Sequence, residues 1–109
     1  MSPADKALVD AVWQHGRVMP EMDASLWRQD ACGAWMRREH FGHQASEFGW
    51  KMERIAPGAG NSPERLRPFN LRNSYDIAND RPHCSTTADR SSVPAEKHAR
   101  PPRNRALAA

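Results

Sequence analysis

The sequence contains few cysteines and no long apolar segment. Its two cysteines, Cys32 and Cys84, are too few and too far apart to predict a disulfide framework. No run approaches the ~20 apolar residues that a membrane span needs. Residues 1–18 lack the apolar stretch of a signal peptide and carry two early aspartates. These absences predict a cytoplasmic protein with reduced thiols and no membrane association.

Large apolar side chains are scarce toward the end of the chain. All four tryptophans lie in the first 50 residues, whereas residues 85–109 offer only Val93, Leu107 and alanines. Ordering a residue costs about 1 to 2 kcal/mol of backbone entropy, which so few apolar groups cannot offset. The composition therefore predicts a small folded domain over residues 1–84 and a flexible tail over residues 85–109.

Negative charge is also scarce in the second part of the chain. Residues 64–109 carry nine Lys or Arg against five Asp or Glu, and they account for the net charge of +3. The tail segment from His98 to Arg105 contains three arginines around two prolines. Guanidinium groups release counterions when they bind phosphate backbones, so this pattern predicts a nucleic-acid partner. A tail that only keeps the protein in solution is the alternative.

Local patterns predict one helix followed by a strand hairpin and a second helix. Ser2-Pro3-Ala4-Asp5 has capping-box spacing and begins a helix over about residues 3–15. Residues 50–55 alternate apolar and polar side chains, and a Gly- and Pro-rich turn leads to a returning strand over residues 66–69. Asn70 is a suitable cap for a helix through about Ala78. The sequence thus predicts an α+β fold with a ββα core.

Several segments resemble small stand-alone bacterial HNH-type endonucleases. Residues 49–57 read GWKMERIAP, similar to the family's GWEIDHI-x-P, and residues 66–73 are similar to its NLQPLHW-x-NN. Residues 27–36 read WRQDACGAWM and resemble a WRKD-x-CGAWI segment. The resemblance covers about residues 12–84 and implies a ββα-metal fold that acts on nucleic acid.

The resemblance also implies that the catalytic residues are replaced. The family places an acidic–His pair on the strand, an Asn in the turn and a His or Asn on the helix, and these positions hold Glu53-Arg54, Arg65 and Ser74. An intact site uses the imidazole as general base and the other groups to hold a divalent metal. A guanidinium stays protonated and cannot accept that proton. We therefore expect a catalytically impaired HNH-like domain without a metal or other cofactor.

The replacements point to a binding surface instead. If the ββα unit forms, four arginines surround the former cleft: Arg54, Arg65, Arg67 and Arg72. Arginine binds phosphate in a bidentate manner, so this set is predicted to bind nucleic acid. A surface network with Glu53 and Glu64 is the competing interpretation. A protein partner, for example an intact nuclease relative, is the other class of ligand.

An active enzyme is the alternative function. In that case Glu53, Asn70 and Asn73, with His40 or His43, rebuild a site for a divalent metal such as Mg²⁺ and hydrolyse DNA phosphodiester bonds.

A zinc site is a further alternative. Its ligands would come from the cysteines and nearby histidines, although their spacing is not that of a known zinc motif: Cys32, His40, His43, His83 and Cys84.

Overall fold

The computed structural model describes residues 2–58, 60, 62–89 and 102–107. These residues form one α-helix, two single-turn 3₁₀ helices and short strands. In chain order the elements are α1 (Pro3–Trp13), β1 (Trp27–Gln29), β2 (Trp35–Arg37), β3 (Trp50–Arg54), β4 (Leu66–Asn70), β5 (Ser74–Asp76), β6 (Arg81–His83), β7 (Thr86–Ala88) and β8 (Asn104–Ala106). Successive strands pair into two-stranded antiparallel sheets. The coarse prediction of a mixed α and β fold is confirmed.

Helix α1 begins where the capping box predicts. The Ser2 hydroxyl accepts a hydrogen bond from the Asp5 N–H at 3.1 Å, and Pro3 occupies the first turn, where a missing N–H costs nothing. The helix buries Val9, Val12 and Trp13 on one face. No helix of the described ranges has the length and apolar character needed to cross a membrane.

Aromatic rings form the centre of the core. Trp13 and Trp50 contact each other with ring centroids 5.2 Å apart, and Phe41 packs edge-on against Trp50 at 4.9 Å. The Trp13 indole N–H donates to the carbonyl of Ala24 at 3.0 Å, so its one polar group is satisfied. The Trp13 side chain is therefore a core residue, as the helical pattern predicts.

The β3–β4 hairpin confirms both predicted strands. Trp50 lies opposite Asn70 and Arg54 lies opposite Leu66. Trp50 and Leu66 are buried against the core, as the alternating pattern requires.

The predicted helix over residues 70–78 is wrong. Ser74–Asp76 is instead strand β5 and pairs with Arg81–His83. Because this helix is the third element of a ββα unit, the described residues do not confirm an HNH-like core.

Part of the predicted flexible tail is an ordered strand pair. Thr86–Ala88 pairs with Asn104–Ala106, and Thr86 is buried at 2% exposure. The prediction of a flexible tail is wrong for these two strands, because polar contacts supply the stability that apolar burial cannot. The tail residues 90–101 and 108–109 lie outside the described residues.

Candidate functional site

A cavity of about 330 Å³ lies between the loop after α1, the end of β1, the hairpin and β5. Seven of the residues around it carry charged, polar or aromatic side chains: His15, Arg17, Gln29, Asp30, Arg67, Phe69 and Tyr75. The cavity therefore combines positive charge with an aromatic wall.

Backbone pairing holds Arg17 at the cavity. Its N–H donates to the carbonyl of Gln29 at 2.7 Å, and its carbonyl accepts from the Gln29 N–H at 3.0 Å. The side chain is exposed, and its guanidinium makes no hydrogen bond or ion pair with a described residue. An arginine whose guanidinium has no partner among the described residues thus stands beside the cavity, on a backbone held by these two hydrogen bonds.

Arg67 is the second arginine of the cavity. Its Nη1 donates to the carbonyls of Glu64 at 3.1 Å and Leu66 at 2.8 Å, which orients the side chain. Glu53 lies directly opposite on β3, but its carboxylate pairs with Lys51 Nζ at 3.0 Å. No ion pair to a described carboxylate therefore offsets the charge of Arg67.

Two neighbouring lining residues, Gln29 and Asp30, have buried polar side chains. Gln29 is 2% exposed, and its Oε1 is buried without a hydrogen-bond partner in the described part of the chain. The neighbouring Asp30 is also 2% exposed, yet its carboxylate accepts four hydrogen bonds and is fully used. Burial raises the pKa of Asp30, and those hydrogen bonds oppose the rise. Gln29 therefore has hydrogen-bonding capacity to spare, and Asp30 does not.

Tyr75 and Phe69 form the aromatic wall. Their ring centroids lie 6.3 Å apart. Phe69 is buried, whereas Tyr75 is half-buried. The Tyr75 hydroxyl donates to the carboxylate of Asp80, and this hydrogen bond is the main cause that raises the pKa of Tyr75. Phe69 thus packs near the tyrosine ring, and Asp80 holds its hydroxyl.

The structure separates the four predicted arginines. Arg54 lies on the opposite face of the hairpin from Arg67, because it pairs with Leu66 one position along. Arg54 Nη1 donates to the carbonyl of Gly58 at 3.2 Å. Arg65 also reaches this turn, since its Nη1 lies 2.8 Å from the point where a Gly58 Cβ would stand. Arg72 is exposed beyond the other end of β4.

The residues of the alternative metal site are also apart. Glu53 and Asn70 are three positions apart along the hairpin, which corresponds to about 10 Å. Asn70 donates to two carbonyls, those of Trp35 at 3.2 Å and Glu47 at 2.8 Å. In the described ranges no group of three or more His, Cys, Asp or Glu residues is placed to hold a metal ion.

Asn73 is equally committed to the fold. Its Nδ2 donates to Asp30 Oδ2 at 2.9 Å and to the Thr86 carbonyl at 3.1 Å. Its Oδ1 accepts from the N–H groups of Ser85 at 2.7 Å and Thr86 at 3.0 Å. At 1% exposure it is a structural residue without an oxygen to offer a metal.

The histidines near residue 40 form a separate group. His40 Nδ1 lies 2.6 Å from the Ser46 hydroxyl, and the rings of His40 and His43 stack with centroids 5.4 Å apart.

Cys32 and Cys84 form a disulfide, with Cα atoms 5.6 Å apart. The prediction of reduced thiols is therefore wrong, because the fold brings two distant cysteines together. Neither sulfur is a thiolate that could bind zinc, so the set of ligands considered for zinc is not available. Cytoplasmic localisation stays a prediction, and the disulfide is the observation that weighs against it.

Comparison with known protein families, curated proteins and solved structures finds no match for this chain. The resemblance to HNH-type endonucleases thus rests on the quoted residues alone. Sequence reasoning identified Arg67 but missed Arg17, Gln29 and Tyr75 as residues of one site. In the sequence Arg17 is simply an arginine that follows the helix, and nothing local connects it to residues on the hairpin.

Proposed function

We propose that this chain binds nucleic acid through the positive surface around the cavity and does not cleave it. The observation that carries the proposal is the placement of Arg17 and Arg67 at one cavity, each without an ion pair to a described carboxylate. Such guanidinium groups attract phosphate oxygens and release counterions. The net charge of +3 favours the same partner.

The remaining predicted arginines lie outside the cavity lining. Arg54 and Arg65 lie at the Gly58 turn, and Arg72 follows β4. Contacts to phosphate position a protein on nucleic acid without reading its sequence. In this proposal these three arginines supply affinity and not selectivity.

Two features of the chain argue against cleavage. Arg54 stands where the resembling family has its general base, and a guanidinium cannot accept a proton at neutral pH. Asn70 and Asn73 use their amides in buried hydrogen bonds. In this proposal the arginines of the chain bind phosphate, and the positions that correspond to the family's catalytic residues lack a group that would activate water.

The test is equilibrium binding of fluorescently labelled DNA and RNA, single-stranded and duplex, between about 50 and 200 mM salt. We expect the logarithm of the association constant to fall linearly with the logarithm of the salt concentration. The double variant Arg17→Gln/Arg67→Gln should bind more weakly and reduce the slope by about 1.4 to 1.8, because each lost phosphate contact removes about 0.7 to 0.9.

Absence of binding at low salt, or binding that salt does not weaken, would rule out the proposal. Capture of a protein partner that resists nuclease treatment, together with no nucleic-acid binding, would favour the protein-binding alternative.

A second candidate is a divalent-metal-dependent endonuclease. The half-buried carboxylate of Glu53 favours it, since this is the acidic residue of the resembling strand. Plasmid nicking in Mg²⁺ that Glu53→Ala abolishes would establish this activity, and no nicking with Mg²⁺, Mn²⁺ or Ni²⁺ would remove it.

A further inference from the structure

We propose that the cavity takes one nucleotide unit, with the phosphate at Arg17 and Arg67 and the base against Tyr75, so that single strands are preferred over duplexes. This inference rests on the proposed function, because it names the form of nucleic acid that the same surface selects. The shared ligand chemistry is that of a nucleoside phosphate, whether free or within a strand.

Charge places the phosphate at the arginine side. Arg17 comes from the loop after α1 and Arg67 from β4, so the two cations approach the cavity from different elements. His15 adds a third nitrogen-bearing side chain. Asp30 is the acidic residue of this lining, and its carboxylate already accepts four hydrogen bonds from N–H donors of the fold.

The aromatic wall places the base. Tyr75 is half-buried in the cavity lining, and its hydroxyl is held by Asp80. Base–aromatic stacking contributes strongly to binding of single strands and tolerates any base. A tyrosine fixed in this way is a stacking platform that needs little ordering on binding.

Size excludes a duplex. At about 330 Å³ the cavity is at the lower end of the range of about 300–1,000 Å³ for small-molecule pockets. A base can enter such a pocket only when it leaves its stack, which costs least in a single strand. The cavity therefore fits one unstacked nucleotide.

The experiment compares a labelled single strand with the duplex of the same sequence, using wild-type protein and four variants. Tyr75→Leu removes the stacking ring and should weaken single-strand binding about ten-fold or more. Tyr75→Phe keeps the ring and should keep the binding. Arg67→Gln should weaken binding more than Arg81→Gln, which removes one exposed positive charge outside the cavity lining. Thermal unfolding of each variant checks the fold.

Free nucleotide provides a measurement that needs no variant. Adenosine monophosphate should compete with the single strand and shift the amide resonances of Arg17, Gln29 and Tyr75 in wild-type protein, while inorganic phosphate competes less well. Equal competition by phosphate, or resonance shifts away from the cavity, would overturn the nucleotide assignment.

The two proposals fail differently. Salt-dependent binding that is equal for single strand and duplex and unaffected by Tyr75→Leu overturns the nucleotide pocket and leaves the proposed function standing. Absence of any nucleic-acid binding removes both.

Discussion

At the residue scale, Asp30 connects two distant segments of the chain. Its Oδ1 accepts from the N–H groups of Cys32 and Ala34, both at 2.9 Å. Its Oδ2 accepts from the Asn70 N–H and from Asn73 Nδ2, also at 2.9 Å. The buried carboxylate thereby joins the β1–β2 turn to the end of β4, and the cavity is built on this joint.

Replacing this carboxylate changes how stability depends on pH. Burial raises the pKa of Asp30 above its ordinary 3.8, so the folded state binds the proton more tightly than the unfolded state. The stabilisation of the folded state by this tighter proton binding is complete below pH 3.8 and is lost as pH rises through the folded-state pKa of Asp30. We expect the difference in unfolding free energy, wild type minus Asp30→Asn, to fall with pH by at most about 1.4 kcal/mol per unit. Urea unfolding over a pH series measures it.

Asp76→Asn is the matched control with the opposite sign. Hydrogen bonds from Asn79 lower the pKa of Asp76, so the stability that its carboxylate contributes is present above pH 3.8 and is lost as pH falls. A wild-type minus Asp30→Asn difference that rises with pH would show that the hydrogen bonds outweigh burial at Asp30.

At the element scale, hydrogen bonds decide the conformation of the chain after Asn70. The Asn70 side chain accepts from the Arg72 N–H at 3.0 Å, as a helix cap or an Asx turn would. The chain then turns into β5, because Ser74–Asp76 finds backbone partners on β6. Asp80 adopts φ 50° in the connection, a conformation that Asp tolerates better than most residues.

Strand β8, which pairs with β7, is also tied to the rest of the fold by the Asn104 side chain. Asn104 Oδ1 accepts from the Trp35 N–H at 2.7 Å, and its Nδ2 donates to the carbonyls of Trp35 at 3.0 Å and Glu47 at 2.9 Å. The side chain thus pairs with the Trp35 backbone as a neighbouring strand would. Glu47 adds an ion pair with Arg103 at 2.8 Å.

Asn104→Ala should release this strand locally. The variant loses three side-chain hydrogen bonds and leaves Trp35 N–H unpaired, so we expect amide exchange in β7 and β8 to accelerate about ten-fold or more. Amides of α1 should keep their protection. Arg105→Ala, an exposed change on the same strand, is the control, and equal acceleration in both variants would contradict the role of the Asn104 side chain.

At the scale of the whole molecule, the disulfide closes a long loop. Cys32 and Cys84 are 52 positions apart and enclose β2 through β6. Cross-linking over such a loop removes entropy mainly from the unfolded chain. The cross-link supports a small core that contains few large apolar side chains besides Trp13, Trp35 and Trp50.

Removing the cross-link should destabilise the whole domain. We expect Cys32→Ser/Cys84→Ser to lose about 4 kcal/mol of unfolding free energy, the loop-entropy value for this separation. Wild type with reductant should unfold like the variant in urea, and the variant should not respond to reductant. Equal stability of oxidised wild type and variant would show that the cross-link does not support the fold.

The sequence alone predicted the elements whose causes are local. Helix α1 follows from the Ser2–Asp5 cap and a one-sided apolar pattern, and the β3–β4 hairpin follows from alternation on both sides of a Gly- and Pro-rich turn. For the candidate site it identified Arg67. These features depend on neighbours within a few positions, which a sequence displays directly.

Tertiary structure alone decided the rest. Asp30 is the buried partner of Asn70 and Asn73, which lie 40 and 43 positions away. The disulfide and the hydrogen bonds of Asn104 likewise join residues that are far apart in the chain. The cavity likewise joins Arg17, Arg67 and Tyr75 from separate elements. Buried polar groups must find partners wherever the fold supplies them, and that requirement overrode the local preference for a helix after Asn70.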